Sequence, residues 1–339
     1  LRQRQILQIK MAGKRIEYLD LTKTIAIYLV ILGHCIFRLD RDLSTGGGIL
    51  EFIYSFHMPL FMMVSGLFVS SSLKLDLKTL VTKKFKQLVI PAVTCTVISC
   101  LYFYIVRDSY NYSDEIIGNS WFLKTLFVYY VIFWLVKRIH LPDYVLCLLS
   151  CALFFLIPHS YSLQVNWLFP FFWMGFFYKK HHDAIEPNLK YWSVLALIVY
   201  ITLYYCRSRM GFTNYIRIDY VAMMTYYDRI IMNYIIAASG SLSIICLCHI
   251  FVRYCPKSII RIGQFTLGIY TLQTILLDNT FQDLIKNDLD NWVLLNIVVS
   301  PLLSLIIMGI CVWTIKTISK NKNLDLVFFG GAYYQKENP

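Results

Sequence analysis

Charge is what this sequence has least of. Only 15% of its 339 residues are Asp, Glu, Lys or Arg, against about 25% in soluble domains, and no stretch is polar enough to form a soluble unit. That scarcity excludes the two or three globular domains that length alone would suggest. Metal-type spacing is missing from the ten cysteines, most of which lie inside apolar runs (Cys35, Cys95, Cys100, Cys147, Cys151, Cys246, Cys248, Cys311). They read as small buried apolar residues, with neither a metal site nor an exposed disulfide framework. No repeat period is visible, and the halves show no inverted similarity, so solenoids are excluded and the inverted-repeat transporter build is disfavoured. The first residues are polar and basic without a cleavage-site pattern. No removable signal peptide is therefore expected, and Met11 is a candidate start of translation behind a disordered lead.

What fills the chain instead is apolar: 58% of residues are hydrophobic and the mean hydropathy is +0.56. Runs long enough to span a bilayer, or nearly so, fall at about 21–37, 50–72, 88–106, 121–137, 143–158, 165–178, 191–205, 230–252, 264–277 and 292–315. The expected fold is all-α, a polytopic transmembrane helix bundle of about ten spans. If the N-terminus is cytoplasmic, 22 of the 32 basic residues fall on inner segments and 8 on outer ones. The loops 107–120 and 278–291 are acidic, so both termini are expected inside. The net charge of +12 is thus a product of topology, and no nucleic-acid partner is expected. Trp121, Trp167 and Trp292 would anchor the outer interface, and Trp134, Trp192 and Trp313 the inner one. The domain reading is a cytoplasmic segment 1–14, one transmembrane domain 15–320 and a cytoplasmic tail 321–339. Gly46, Gly47 and Gly48 read as a flexible turn between neighbouring antiparallel spans, and 206–229 as the longest outer loop, rich in Arg and Tyr.

Within the first run, KTIAIYLVILGH, Lys23 and His34 are eleven residues apart. Eleven helical residues turn through roughly 20° net and rise about 16 Å, so the two share one face at different depths, with Asp20 on the same stripe. An ionisable side chain at depth in a membrane helix marks a functional site by default. His57, seven residues into the next span from Glu51, reaches a similar depth. An imidazole can take a proton from a hydroxyl near neutral pH; it can equally cap a backbone carbonyl. Lys23 can snorkel to headgroups, or join Lys83, Lys84 and Lys86 in a basic inner mouth for a phosphorylated donor.

The runs YLDLTKTIAIYLVILGH, SFHMPLFMMVSGLF, KKFKQLVIP, SWFLKTLFVYY and IGQFTLGIYTLQ, in that order, resemble the acyltransferase-3 family of integral-membrane O-acyltransferases. The resemblance implies transfer of an acyl group, usually acetyl, from cytoplasmic acyl-CoA to a sugar hydroxyl of a surface polysaccharide or its lipid-linked precursor. It also implies a multi-pass protein of a bacterial-type inner membrane. The family's basic-x10-His motif maps onto Lys23 and His34, making His34 the implied catalytic histidine, with Glu51 or His57 orienting it or holding the acceptor. The family's Arg-x-x-Arg aligns with Lys84 and Gln87 ahead of Pro91, with Lys83 or Lys86 as substitutes in contacting donor phosphates. Trp121 matches the aromatic of the Trp-Phe-Leu segment, and Gln273 stands where relatives often carry histidine. Acetyl-CoA is the expected donor substrate, and no metal is expected. The competing readings are a glycan or solute transporter, for which Lys, His and Asp at depth would line a pathway, and a surface-polysaccharide polymerase.

Overall fold

The computed structural model describes residues 16–39, 43–106, 116–158, 163–210, 218–277 and 294–334; among them, helix is the only regular secondary structure. The expected N-terminal segment with Met11, most of the acidic loop 107–120, the acidic loop 278–291 and Trp292 lie outside the described residues.

Helix α1 (Glu17–Leu39) opens on Glu17 and Asp20 and closes on Arg38, charges matched to its dipole. The second apolar run is two helices, α2 (Leu43–Tyr54) and α3 (His57–Leu67), followed by a short α4 (Val69–Ser72). Pro59 accounts for the break at Ser55–Phe56: it has no N–H for the Ser55 carbonyl and its ring would crowd that carbonyl, so a new helix starts with Pro59 in its first turn. Helix α5 (Leu77–Lys84) is capped by Asp76, which accepts from the Thr79 N–H at 3.0 Å. It continues through a π-helical stretch, Phe85–Val89, into α6 (Ile90–Val106). Then come α7 (Trp121–Val136), α8 (Asp143–Phe155), α9 (Val165–Lys180), the short α10 (His182–Ile185) and α11 (Leu189–Arg209). Helix α12 (Tyr220–Phe251) is kinked at Tyr226. The chain closes with α13 (Lys257–Ile262), α14 (Thr266–Thr274), a second π stretch (Leu294–Val299), α15 (Ser300–Ile318) and α16 (Lys322–Phe329).

Helix covers all or most of each of the ten apolar runs. Among the described residues, six stretches are long and apolar enough to cross a membrane: Glu17–Leu39, Gly48–Leu67, Leu77–Val106, His182–Arg209, Tyr220–Tyr254 and Leu294–Ile318. Trp121–Val136, Asp143–Phe155 and Thr266–Leu277 are apolar but shorter. Two expectations are corrected. The glycines at 46–48 lie within α2 rather than in a turn. Leu50 and Ile53 pack on Leu32 and Ile36 of α1, and that anchoring carries the helix back through them despite a cost of about 1 kcal/mol per glycine. The outer segment 206–229 is also largely helical, because α11 runs to Arg209 and α12 starts at Tyr220.

Helices α3 and α9 make a very close contact. A methyl on Gly66 would fall 2.0 Å from the Phe172 carbonyl oxygen, and one on Gly175 would fall 1.9 Å from that of Met63, so the two backbones touch. Around this crossing lies a fully buried aromatic core that includes Tyr129, Phe133, Phe169, Phe172 and Trp173. Pro170 sits inside α9 and leaves the Asn166 carbonyl without its helical donor. The Tyr234 hydroxyl of α12 supplies a replacement at 3.2 Å. A backbone group freed in the bundle interior is thereby satisfied by a neighbouring helix.

Candidate active site

Helix α1 is the axis of the site, packed by α2, α3, α12, α13, α14 and α15. At its lower end Lys23 donates to Asp20 at 2.7 Å, and its ammonium lies 4.9 Å from the centre of the Phe68 ring, just beyond α3. Thr24 reaches across to the Ile259 carbonyl at 3.0 Å, which ties this end of α1 to α13. Three helical turns above Lys23, His34 is partly buried. Next to it, the Tyr54 ring lies against Gly33, where a methyl would fall 2.6 Å from its Cε1. Cys35, the next residue of α1, is fully buried.

His57 is buried at the start of α3 and within electrostatic reach of His34. Its Nδ1 lies 2.9 Å from the Ile53 carbonyl oxygen. A carbonyl cannot donate, so Nδ1 carries the hydrogen and, in the neutral ring, Nε2 is left as the acceptor. The Tyr54 ring packs over the His57 ring with centroids 4.8 Å apart. Tyr54 therefore touches both the turn that carries His34 and the second imidazole. Glu51 lies 4.0 Å from the guanidinium of Arg207, which is buried and rests 4.7 Å from the Tyr204 ring. Close by, the Ser55 and Tyr200 hydroxyls share a hydrogen bond of 3.0 Å.

The basic candidates separate into two zones. Lys84 is partly buried with its ammonium 3.6 Å from the centre of the Tyr130 ring, a cation–π contact. Lys83 and Lys86 are exposed and, with Lys78, Thr79 and Thr82, line a separate cavity of about 420 Å³. Lys78 belongs to that cavity and was not singled out from sequence. Trp121 begins α7 just after Asn119 and Ser120, both buried. Ser120 is left-handed (φ 52°), and the Lys124 ammonium donates to the Ile116 and Asn119 carbonyls at 2.6 and 2.7 Å. Gln273 is fully buried in α14, its amide donating to the Thr274 hydroxyl at 2.9 Å, while its Oε1 has no partner among the described residues. A larger apolar cavity of about 710 Å³ lies between α9, α11 and α12 and holds none of these residues. No cluster of three or more metal-ligating side chains converges among the described residues.

Of the candidates named from sequence, His57 is buried and His34, Lys23 and Lys84 are partly buried, while Tyr54 and Arg207, which contact His57 and Glu51, were not among them. An aromatic directly before a serine carries no signal of its own. Arg207 read as a loop residue because its acidic partner is 156 positions away.

The sequence model of a family described as an acyltransferase domain matches residues 16–316. Two curated relatives are named Nodulation protein NolL. The one from Sinorhizobium fredii is 26% identical over 290 residues, covering 77% of this chain and 78% of the relative. The one from Mesorhizobium japonicum is 28% identical over 173 residues, covering 47% of this chain and 46% of the relative. No solved structure matches the chain.

Proposed function

This chain belongs to the acyltransferase family, and from that premise we propose that it moves an acetyl group from cytoplasmic acetyl-CoA to a sugar hydroxyl of a surface polysaccharide or its lipid-linked precursor. It would do so in a bacterial-type inner membrane, as a bundle of about ten spans with both termini inside. The observation that carries the reading is the stripe on α1, with the Lys23–Asp20 pair at one end and, about 16 Å higher, the partly buried His34 on the turn that the Tyr54 ring packs against. That separation suits a long, mostly uncharged pantetheine arm, anchored by its phosphates below and presenting its thioester above.

In this reading the phosphates meet lysines at the inner mouth, from Lys23, Lys84 or the Lys78, Lys83 and Lys86 cavity. His34 takes the proton of the acceptor hydroxyl as its oxygen attacks the thioester carbonyl. The C–S bond breaks, the acyl group stays on the sugar oxygen, and the proton returns from His34 to the departing thiolate. His57, its Nδ1 committed to Ile53, offers Nε2 to orient His34 or the acceptor. Tyr54, Glu51 and Arg207 stand on the same side as groups for a sugar. Membership of an acyltransferase family favours this reading over transport or polymerisation.

The test uses purified wild type and His34→Ala side by side with labelled acetyl-CoA. Turnover by wild type and loss of roughly 10²–10⁴-fold in the variant, with donor binding retained, is expected. Wild-type-like transfer by a well-folded His34→Ala protein, or absence of donor binding by folded wild type, overturns it.

A further inference from the structure

Beyond residue 316, where the family match ends, the chain makes a hairpin far better anchored than its length suggests. Asn321 caps α16 by accepting from the backbone N–H groups of Asn323 and Leu324. Gly330 closes it in a left-handed conformation (φ 66°), with its N–H on the Leu326 carbonyl and that of Gly331 on the Asp325 carbonyl at 3.0 and 3.1 Å. The buried Asp325 carboxylate then accepts from the Ser319 hydroxyl at 2.6 Å and from the Tyr333 and Tyr334 N–H groups at 3.1 and 3.0 Å. This folds the chain back on itself.

Several contacts fix the hairpin to the bundle. Phe329 is fully buried, the Tyr333 hydroxyl accepts from the Gly268 N–H of α14 at 3.0 Å, and the Thr94 hydroxyl of α6 donates to the Val327 carbonyl at 2.7 Å. Between them, Gly330 lies directly on the backbone of Lys86 and Gln87. A methyl there would fall 1.9 Å from the Lys86 carbonyl oxygen and 2.8 Å from the Gln87 Cα.

Lys86 and Gln87 belong to the π stretch Phe85–Val89. Its extra residue sets the rotation of α5, which carries Lys78, Lys83 and Lys84, against α6, and Lys86 lies in the π stretch itself. A π turn is rare and short, and frequently sits at functional positions. We infer that the hairpin of residues 319–334 is a positioning element for the donor: Gly330 and Tyr333 hold the π stretch so that Lys84 and Lys86 keep their places for the phosphates of acyl-CoA. This rests on the reading above that the inner face takes acyl-CoA. A tail that merely adds stability would change the yield of folded protein. One that positions lysines changes the KM for the donor and leaves kcat near wild type.

Gly330→Ala and Gly331→Ala separate the two. Both positions are left-handed, but an alanine methyl at 331 comes no closer than 3.8 Å to a neighbour, the Leu326 side chain. In the full chain, Gly330→Ala is expected to raise the acetyl-CoA KM roughly tenfold with kcat little changed, and Gly331→Ala to leave KM near wild type. If Gly330→Ala is not recovered folded, Tyr333→Phe decides, with an expected rise of about threefold from loss of the Gly268 contact. Wild type that neither binds nor turns over acetyl-CoA overturns the donor reading and this proposal together. An active wild type with equal KM values for the two glycine variants, or with KM unchanged in Tyr333→Phe, overturns this proposal alone.

Discussion

Replacing Lys84 with alanine should weaken acetyl-CoA far more than replacing Lys83 or Lys86, and the difference follows from where the three ammonium groups sit. Lys84 is partly buried and held over the Tyr130 ring, so a phosphate contact there is shielded from water and needs little further ordering. A charge-assisted hydrogen bond of this kind contributes about 1.5–3 kcal/mol, or roughly 10- to 150-fold in donor affinity. Lys83 and Lys86 are exposed on their cavity, where a flexible, hydrated ion pair contributes about 0.2–1 kcal/mol. Each should therefore change KM by about fivefold or less. Salt separates them further, because the screening length falls from about 10 Å at 0.1 M to about 3 Å at 1 M. Initial rates against acetyl-CoA concentration at both ionic strengths make the assay. The Lys84→Ala defect should persist in high salt while those of Lys83→Ala and Lys86→Ala fade. A wild-type KM in Lys84→Ala, together with a large salt-sensitive defect in the Lys83/Lys86 double variant, would place the phosphates on the exposed cavity and refute the argument from burial.

Three further outcomes follow from the packing. Tyr234→Phe should destabilise the bundle by about 1–3 kcal/mol by orphaning the Asn166 carbonyl. Adding Pro170→Ala, which restores a helical donor, should remove most of that loss; additive melting-temperature shifts in the double-mutant cycle would contradict it. Gly175→Val should abolish recovery of folded protein, since its methyls would meet the Met63 backbone, and a monodisperse, heat-stable variant would overturn the close α3–α9 contact. At Asp76, hydrogen bonds from the Thr79 hydroxyl and N–H hold the carboxyl below its usual range. A depressed folded value means the cap is fully present above the ordinary carboxylate pKa of about 3.9 and is lost as pH falls through the lower folded one. Hydrogen exchange in the first turn of α5, corrected for intrinsic rates, should therefore stay slow at pH 5 and speed up only below the ordinary value, with Asp76→Ala fast throughout.

The helices were legible because apolar runs interrupted by charge have few other solutions in a bilayer. The first apolar run, 21–37, falls inside α1, and the spacing of Lys23 and His34 put both on one face. The break inside the second run was less visible, although Pro59 carried the signal. The Gly46–Gly48 turn failed because local glycine preference, about 1 kcal/mol per residue, lost to the packing of Leu50 and Ile53 on α1. Pairings such as Glu51 with Arg207, Tyr234 with Asn166 and Gly330 with Lys86 join distant segments, and nothing in the spacing of one sequence announces them. The hairpin at 319–334 did have a local mark, the Gly330–Gly331 stop after an apolar stretch, but its docking partner did not.

Lys23 and His34 are carried by a single unbroken helix, which works as a ruler graduated in angle as well as length. Adding one residue anywhere between them would turn one end by about 100° against the other while leaving each side chain's own chemistry intact. A deletion would do the same in the opposite sense. The two ends of the proposed reaction path are thus mechanically in phase, and variation in donor or acceptor has to be accommodated by the helices around α1 and not by α1 itself. Chimeras that exchange α1 at a junction inside this interval should tolerate only splices that preserve its length.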